Sequence, residues 1–260
     1  MNSVVVSGIP TIMVRIYYSS YHLWAAEHFY QLAGEIEDAH EGRSRFDIKH
    51  RAYVTNTILS SVAFLEAAIN EVFQDAFDNY LIYIGSLSVE TRKILADFWD
   101  MTEADNKSFV SILDKYQLAL RFAGMEPFNK GENPYQDANL VVKIRNTLIH
   151  YKPQLLGGEN IHQLEAKLKG KFPENKLMSG SAGNPYFPDK ALGKGCAEWT
   201  VKSVLIFANG FFLRMGVIPH YKKVEFTKPI AEKLPRDKLI VHFIFSLSFV
   251  ALSFSYPKFG

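Results

Sequence analysis

The most informative stretch of the chain is Lys143-Ile144-Arg145-Asn146-Thr147-Leu148-Ile149-His150-Tyr151-Lys152-Pro153. Its apolar residues recur at intervals of three and four, which is the spacing of one face of a helix. A proline cannot continue a helix, so we expect this helix to run from about residue 136 to about residue 151. An arginine, an asparagine and a histidine then stand together near the end of an apolar helix.

These three polar residues have the chemistry of a phosphate site. The guanidinium of Arg145 is permanently charged and matches the geometry of a phosphate. His150 can take or give a proton near neutral pH. Asn146 precedes His150 by four residues and therefore shares its helix face. Cleavage of a phosphodiester by the neighbouring 2′-hydroxyl requires such a set: a proton acceptor, a proton donor and a cation at the phosphorus.

Helical periodicity extends over most of the chain, whereas the N-terminus does not show it. We expect helices at about residues 20–40, 51–79, 88–100, 105–122, 136–151, 161–168 and 196–215, with a long loop over 170–195. Ser88 and Asp105 are the expected N-caps of two of these helices, and Gly216 is expected to end the last one. Two apolar runs before residue 19, Val4–Val6 and Ile12–Tyr18, are interpreted as extended segments. The prediction is an all-α helical bundle over residues 20–216, with an extended segment at 1–19 and a C-terminal extension at 217–260.

The Arg-Asn-x3-His pattern of Arg145, Asn146 and His150, in an all-helical chain, resembles the signature of the HEPN superfamily. The stretch from Ser60 to Glu71 also resembles the first long helix of that superfamily, and the resemblance covers about residues 50–215. It implies a metal-independent endoribonuclease whose motif helices form a shared cleft in a homodimer. Arg145 would bind the phosphate, His150 would act as acid and base, and Asn146 would orient the cleft. A role in toxin–antitoxin systems or antiviral defence, with an antitoxin or regulatory partner, is a further implication of the family.

Some members of that superfamily have lost catalysis and act as binding modules, which leaves a second interpretation open. Arg145 could pair with Glu66 or Glu71 and simply tie two helices together, while His150 caps its helix. The chain would then bind a protein or a nucleotide through a helical surface. Both interpretations predict the same fold, because they differ only in what the motif does.

Charge is distributed unevenly along the chain, although the net charge is only +2. Residues 1–140 contain 11 basic and 19 acidic residues, whereas residues 141–260 contain 18 basic and 8 acidic ones. A basic region beside a phosphate motif suits RNA, and the alternative is a solvated surface without a partner. The lysines that we expect to bind RNA are Lys143, Lys152, Lys167, Lys169 and Lys171.

The C-terminal segment 239–256 is apolar and carries no formal charge apart from any proton on His242. As a helix it would be about 27 Å long, which is marginal for a bilayer core of about 30 Å. Its serines and His242 favour a buried or interface segment over a membrane anchor. A single cysteine and the lack of signal-peptide features suit a reducing, cytoplasmic setting.

No metal or cofactor site is expected. Two Glu-x-x-His pairs, Glu37/His40 and Glu159/His162, have a spacing that can ligate metal in helical bundles. Further glutamates at matching positions are not evident, so both are interpreted as surface pairs. Cys196 opens an apolar helix, and we expect a buried thiol there rather than a nucleophile.

Overall fold

The computed structural model describes residues 14–41, 44–103, 110–157, 159–180 and 183–222. Within them the predicted all-α class is confirmed: there are eight α-helices and no β-strand. The helices are α1 Ser19–Asp38, α2 Ile48–Phe77, α3 Leu81–Ile84, α4 Val89–Glu103, α5 Ile112–Phe122, α6 Tyr135–Ile149, α7 Glu165–Leu168 and α8 Lys194–Met215. The apolar run Val4–Val6, the expected N-cap Asp105 and the apolar segment 239–256 lie outside the described residues.

Helix α2 is the centre of the bundle, and α1, α4, α6 and α8 all contact it. Asp47 begins it by accepting a hydrogen bond from the backbone N–H of His50, which satisfies one of the donors at the helix start. By length and apolar composition alone, α2 is also long enough to cross a membrane. Half of its most apolar stretch is buried against the neighbouring helices, as in the core helix of a bundle.

Two apolar cores are present in the described part of the chain, and the motif helix α6 contacts both. The larger core joins α2, α4, α5 and α8 and includes Val141 of α6. The smaller core joins α1, the first half of α2 and the segment before α8, and it includes Leu140 and Ile144 of α6. The buried side of α6 is therefore fixed by packing, and its opposite side faces solvent.

Three helix ends agree with their sequence signals. The hydroxyl of Ser88 accepts a hydrogen bond from the backbone N–H of Thr91 at the start of α4. Gly216 ends α8 in the left-handed conformation, with φ of 66°. His150 is the C-cap of α6, one residue before the predicted end.

Three expectations about local structure are wrong. The helix predicted over 105–122, with Asp105 as its N-cap, begins at Ile112, because the hydroxyl of Ser111 accepts the backbone N–H of Asp114 and caps it there. The helix predicted over 161–168 is reduced to Glu165–Leu168, because Nδ1 of the buried His162 accepts the backbone N–H of Leu164 and holds the chain in a turn. The two Glu-x-x-His pairs are not surface pairs, since Glu37 and His162 are each only 2% exposed. Glu37 faces His50 of α2 rather than His40.

Glu37 ties the segment before α8 to the first two helices. Its carboxylate lies 2.8 Å from Nε2 of His50 and accepts the backbone N–H groups of Lys176 and Lys194. Burial alone would raise the pKa of this carboxyl, but the hydrogen bonds from His50, Lys194 and Lys176 lower it below its ordinary value. The carboxylate form of Glu37 therefore stabilises the folded chain.

We predict that Glu37→Gln lowers the free energy of unfolding by about 2–4 kcal/mol, because one partner of a buried pair is lost. Because folding lowers the pKa of Glu37, its carboxylate stabilises the folded chain fully at pH values above the ordinary pKa of 4.5. This stabilisation is lost as the pH falls through the pKa of Glu37 in the folded chain. Denaturant unfolding between about pH 3 and pH 7 should therefore show less loss of stability in acid for the variant than for the wild type.

Asp38→Asn is the matched control, because Asp38 is the exposed neighbour that pairs with the side chains of Lys176 and Lys194. Its effect on stability should be much smaller than that of Glu37→Gln. Equal effects of the two substitutions would contradict the role given to Glu37.

Candidate functional site

The three motif residues lie at the solvent-facing end of α6. The backbone N–H of His150 donates to the carbonyl oxygen of Asn146 at 2.9 Å, which closes the last turn of the helix. The side chains of Asn146 and His150 are exposed, whereas Arg145 is partly buried. At about 100° per residue, Asn146 and His150 are about 40° apart around the axis, and Arg145 and His150 are about 140° apart. The chain therefore presents the arginine and the histidine on different sides of the same helix.

Arg145 points toward α2, where its guanidinium Nη2 lies 3.8 Å from Oε2 of Glu66. The expected contact between these residues is confirmed, whereas the alternative partner Glu71 bonds instead to Ser19 and Tyr83. The Glu66 side chain is 50% exposed and the Arg145 side chain 21% exposed. A long ion pair in contact with water contributes little to stability, so this pair holds the guanidinium loosely.

Two polar residues of α2 near this contact, Glu66 and Asn70, are either exposed or hydrogen-bonded. Glu66 is exposed, so its carboxylate is solvated. Asn70, one turn later, is partly buried, and its Oδ1 accepts a hydrogen bond from Nζ of Lys115 at 2.9 Å. Neither Glu66 nor Asn70 is therefore a buried polar side chain left without a partner.

Apolar side chains are exposed around the end of α6. Ile149 is 52% exposed, Tyr151 is 43% exposed and Leu155 is 91% exposed. Single exposed apolar residues are ordinary, but a cluster around one end of a helix marks a surface that suits contact with another molecule. His150 thus stands next to exposed apolar side chains in the chain.

A basic pocket of about 350 Å³ lies beside the first half of α6, and we call it the lysine pocket. It is formed by α6, α7 and the segments that precede and follow them. The residues that line it are Lys130, Gln136, Asp137, Asn139, Leu140, Lys143, Lys167 and Lys171. Four lysines and one aspartate give this lining a formal charge of +3.

Two of the four lysines in the pocket have carboxylate partners. Nζ of Lys171 lies 2.7 Å from Asp137, and Nζ of Lys130 lies 2.8 Å from Asp114, whose hydrogen bond raises the pKa of Lys130. Lys143 and Lys167 form no ion pair with any residue in the described ranges. The positive charge of the lysine pocket is therefore only partly compensated by the protein itself.

The lysine pocket brings together three of the five lysines that the sequence predicted to bind RNA, namely Lys143, Lys167 and Lys171. Lys152 lies in the exposed segment after α6. Lys169 pairs with Glu165 at 2.7 Å and lies over the ring of Tyr186, outside this pocket.

Sequence reasoning missed Lys130, Gln136 and Asn139, which also line the pocket. Lys130 belongs to the acidic half of the chain, so it is not among the basic residues of the C-terminal half that the charge asymmetry indicates. A usable signal was the interval of three and four residues that separates Gln136, Asn139 and Lys143 on one helix face.

The described residues hold neither a cluster of metal ligands nor an exposed thiol. Within those ranges, His, Cys, Asp and Glu form no group of three or more that could hold a metal ion. Cys196 is completely buried, and this burial raises the pKa of its thiol to about 12. The thiol is thus held in its protonated form, as expected for a buried cysteine rather than a nucleophile.

Comparison with known proteins gives no match for the chain among protein-family models, curated proteins or solved structures. Its function is therefore inferred from its own residues and their arrangement.

We predict that Glu66→Gln changes the free energy of unfolding by less than about 0.5 kcal/mol, because the ion pair with Arg145 is long and half-exposed. Asp75→Asn provides the comparison, since Asp75 is fully buried and accepts hydrogen bonds from Arg15, Tyr17 and Tyr83. That substitution should cost about 1–3 kcal/mol. Denaturant unfolding at neutral pH measures both, and a loss of stability in Glu66→Gln as large as in Asp75→Asn would show that Arg145 is a structural tie.

Proposed function

We propose that the chain is a metal-independent endoribonuclease of HEPN type, with Arg145, His150 and Asn146 at its site. The observation that carries this proposal is the placement of the three residues. They occupy the solvent-exposed end of a helix that both apolar cores hold in place, beside a pocket with a formal charge of +3. An exposed histidine and an arginine that is only loosely paired suit phosphodiester cleavage, because the first can move protons and the second can bind the phosphate.

The chemistry uses the RNA's own 2′-hydroxyl as nucleophile. An imidazole of His150 takes the proton from that hydroxyl, and the 2′-oxygen forms a bond to the adjacent phosphorus. The bond from phosphorus to the 5′-oxygen breaks, and an imidazolium gives that oxygen a proton. Arg145 donates hydrogen bonds to the non-bridging oxygens as negative charge builds on them. The products are a 2′,3′-cyclic phosphate and a 5′-hydroxyl.

A homodimer supplies what one protomer lacks. One chain offers one histidine, whereas the reaction uses a proton acceptor and a proton donor. The 140° between Arg145 and His150 around α6 also favours a site assembled from Arg145 of one protomer and His150 of its partner. The exposed Ile149, Tyr151 and Leu155 beside His150 support an isologous contact at this end of α6.

The biological setting of the proposal rests on family resemblance alone. A cytoplasmic ribonuclease of this kind would arrest growth as part of a toxin–antitoxin system or antiviral defence. A protein antitoxin or a regulatory partner would then restrain it.

The second candidate is a noncatalytic helical module that binds a protein or a nucleotide. The contact between Arg145 and Glu66 favours it, because that pair joins α6 to α2 without any ligand. In this case the motif would be part of the scaffold. The nuclease and the module differ in whether substitution of Arg145 removes an activity or only weakens the fold.

The first test is incubation of the purified chain with a mixture of structured and unstructured RNA in excess EDTA. We expect the wild type to cut RNA and both Arg145→Ala and His150→Ala to lose at least about a hundredfold in rate, since each removes a group that acts at the phosphate. Gel analysis of end-labelled RNA measures the rate, and denaturant unfolding checks that the variants are folded.

Arg121→Ala and His40→Ala are the matched controls, because they remove the same side chains from positions outside the motif and the lysine pocket. Both should cut RNA at the wild-type rate. Intact RNA in every wild-type lane, or equal loss in the controls, would favour the binding module.

A composite site predicts complementation between inactive variants. Arg145→Ala and His150→Ala chains with different tags, expressed together and purified as the mixed dimer, should cut RNA faster than either parent dimer but well below the wild-type rate. The mixed dimer regains one Arg145–His150 pair across the interface, yet it holds one histidine where the wild type holds two. Each homodimeric variant serves as the control and should stay inactive. A mixed dimer as inactive as its parents would place Arg145 and His150 of one site in the same protomer.

A further inference from the structure

The lysine pocket and the catalytic histidine lie along one stripe of α6. Its members succeed one another at intervals of three and four residues and so share one face of the helix. In chain order they are Gln136, Asn139, Lys143, Asn146 and His150. The first three line the lysine pocket, and the last two belong to the motif. The stripe is therefore a continuous polar track from the pocket to the site.

The composition of the pocket favours a phosphate with an attached sugar over a simple anion. Lys143 and Lys167, which have no ion-pair partner in the described ranges, offer ammonium groups to phosphate oxygens. Asn139 offers an amide group that can bond to sugar oxygens, whereas Gln136, whose Nε2 donates to the carbonyl oxygen of Gly131 at 2.6 Å, offers its amide oxygen. Leu140, only 6% exposed, gives the pocket an apolar part of its wall.

The distance along α6 favours a chain of phosphates over one phosphate. Lys143 precedes His150 by seven residues, which corresponds to about 10 Å along the helix axis. One phosphate group cannot contact both, whereas consecutive phosphates of a nucleic acid strand can. The concave pocket also suits a strand that leaves the regular double helix, because phosphates on the outside of a duplex would contact only its rim.

We propose that the lysine pocket binds the backbone of an unpaired RNA strand, about two helical turns of α6 away from the phosphate that is cleaved at His150. The strand runs along the polar stripe from Gln136 to His150. This inference rests on the proposed ribonuclease function and deepens it, because it makes single-stranded RNA the substrate. Lys143 and Lys167 are its main contacts, and Lys152 and Lys169 are outside this path.

Binding of an uncleavable RNA tests the inference without any need for catalysis. The probe is a fluorescein-labelled oligouridylate of about 12 nucleotides with 2′-O-methyl groups throughout, and its anisotropy is followed between about 0.05 and 0.3 M salt. We expect Lys143→Gln/Lys167→Gln to weaken binding on the order of tenfold. The slope of log affinity against log salt should fall in magnitude by about 1.4, because each phosphate contact of a single strand contributes about 0.7.

Lys49→Gln/Lys93→Gln is the matched control, since it removes two exposed lysines of α2 and α4 that do not line the pocket. It should leave both affinity and salt slope close to the wild type. Equal weakening by the two double variants, or no weakening by the pocket variant, would overturn the inference. So would binding of a blunt RNA duplex of the same length as tightly as the single strand.

Inorganic tripolyphosphate distinguishes an RNA strand from a small phosphate compound. If tripolyphosphate binds with the same dependence on Lys143 and Lys167 while the oligouridylate does not bind, the strand assignment is wrong. Oligouridylate binding that depends on the pocket, together with intact RNA in the cleavage assay, would leave this inference standing and remove the ribonuclease proposal. The two proposals therefore fail separately.

Discussion

Packing of Leu140, Val141 and Ile144 against both apolar cores fixes the rotation of α6 about its axis. Full burial of one such side chain is worth about 1.5–3 kcal/mol, whereas the exposed ion pair between Arg145 and Glu66 is worth less than about 1 kcal/mol. Apolar packing, rather than that ion pair, therefore decides which residues of α6 meet water. The polar stripe that ends at His150 is the direct consequence.

The surface of α6 has two parts that differ in how their positive charge is compensated. On one side Arg145 is partly compensated by Glu66, at a distance long enough for a phosphate to compete. On the other side the lysine pocket keeps Lys143 and Lys167 without ion-pair partners in the described part of the chain. A fold that needed these charges for stability would pair them, as it pairs the buried Glu37 with His50. Charge that is left uncompensated on a rigid element is available to a ligand.

The sequence predicts local features of this molecule well, because they depend on neighbours along the chain. Periodicity places the main helices, Ser88 marks the start of α4, and the apolar surroundings of Cys196 indicate its burial. The contact between Arg145 and Glu66 could also be anticipated, because both lie on long helices with apolar faces that must pack together.

Features that depend on distant parts of the chain were beyond reach of the sequence. The bond between Glu37 and His50 arises only from the packing of α1 on α2. The sequence offers only the Glu-x-x-His interval, which pairs Glu37 with His40. Lys130 joins the basic pocket although it comes from the acidic half of the chain. The 140° between Arg145 and His150 follows from helix geometry. The direction of the Arg145 side chain, which points toward α2 and on which the proposed dimer site also depends, follows from the packing of α6 on α2.

The chemical ends of the RNA fragments made in excess EDTA test the central claim most directly. A site of Arg145 and His150 without a metal must use the neighbouring 2′-hydroxyl, so we predict 2′,3′-cyclic phosphate and 5′-hydroxyl ends and no cleavage of DNA of the same sequence. Mass spectrometry of the fragments identifies these ends. Fragments with 5′-phosphate and 3′-hydroxyl ends, or equal cleavage of DNA, would contradict the account.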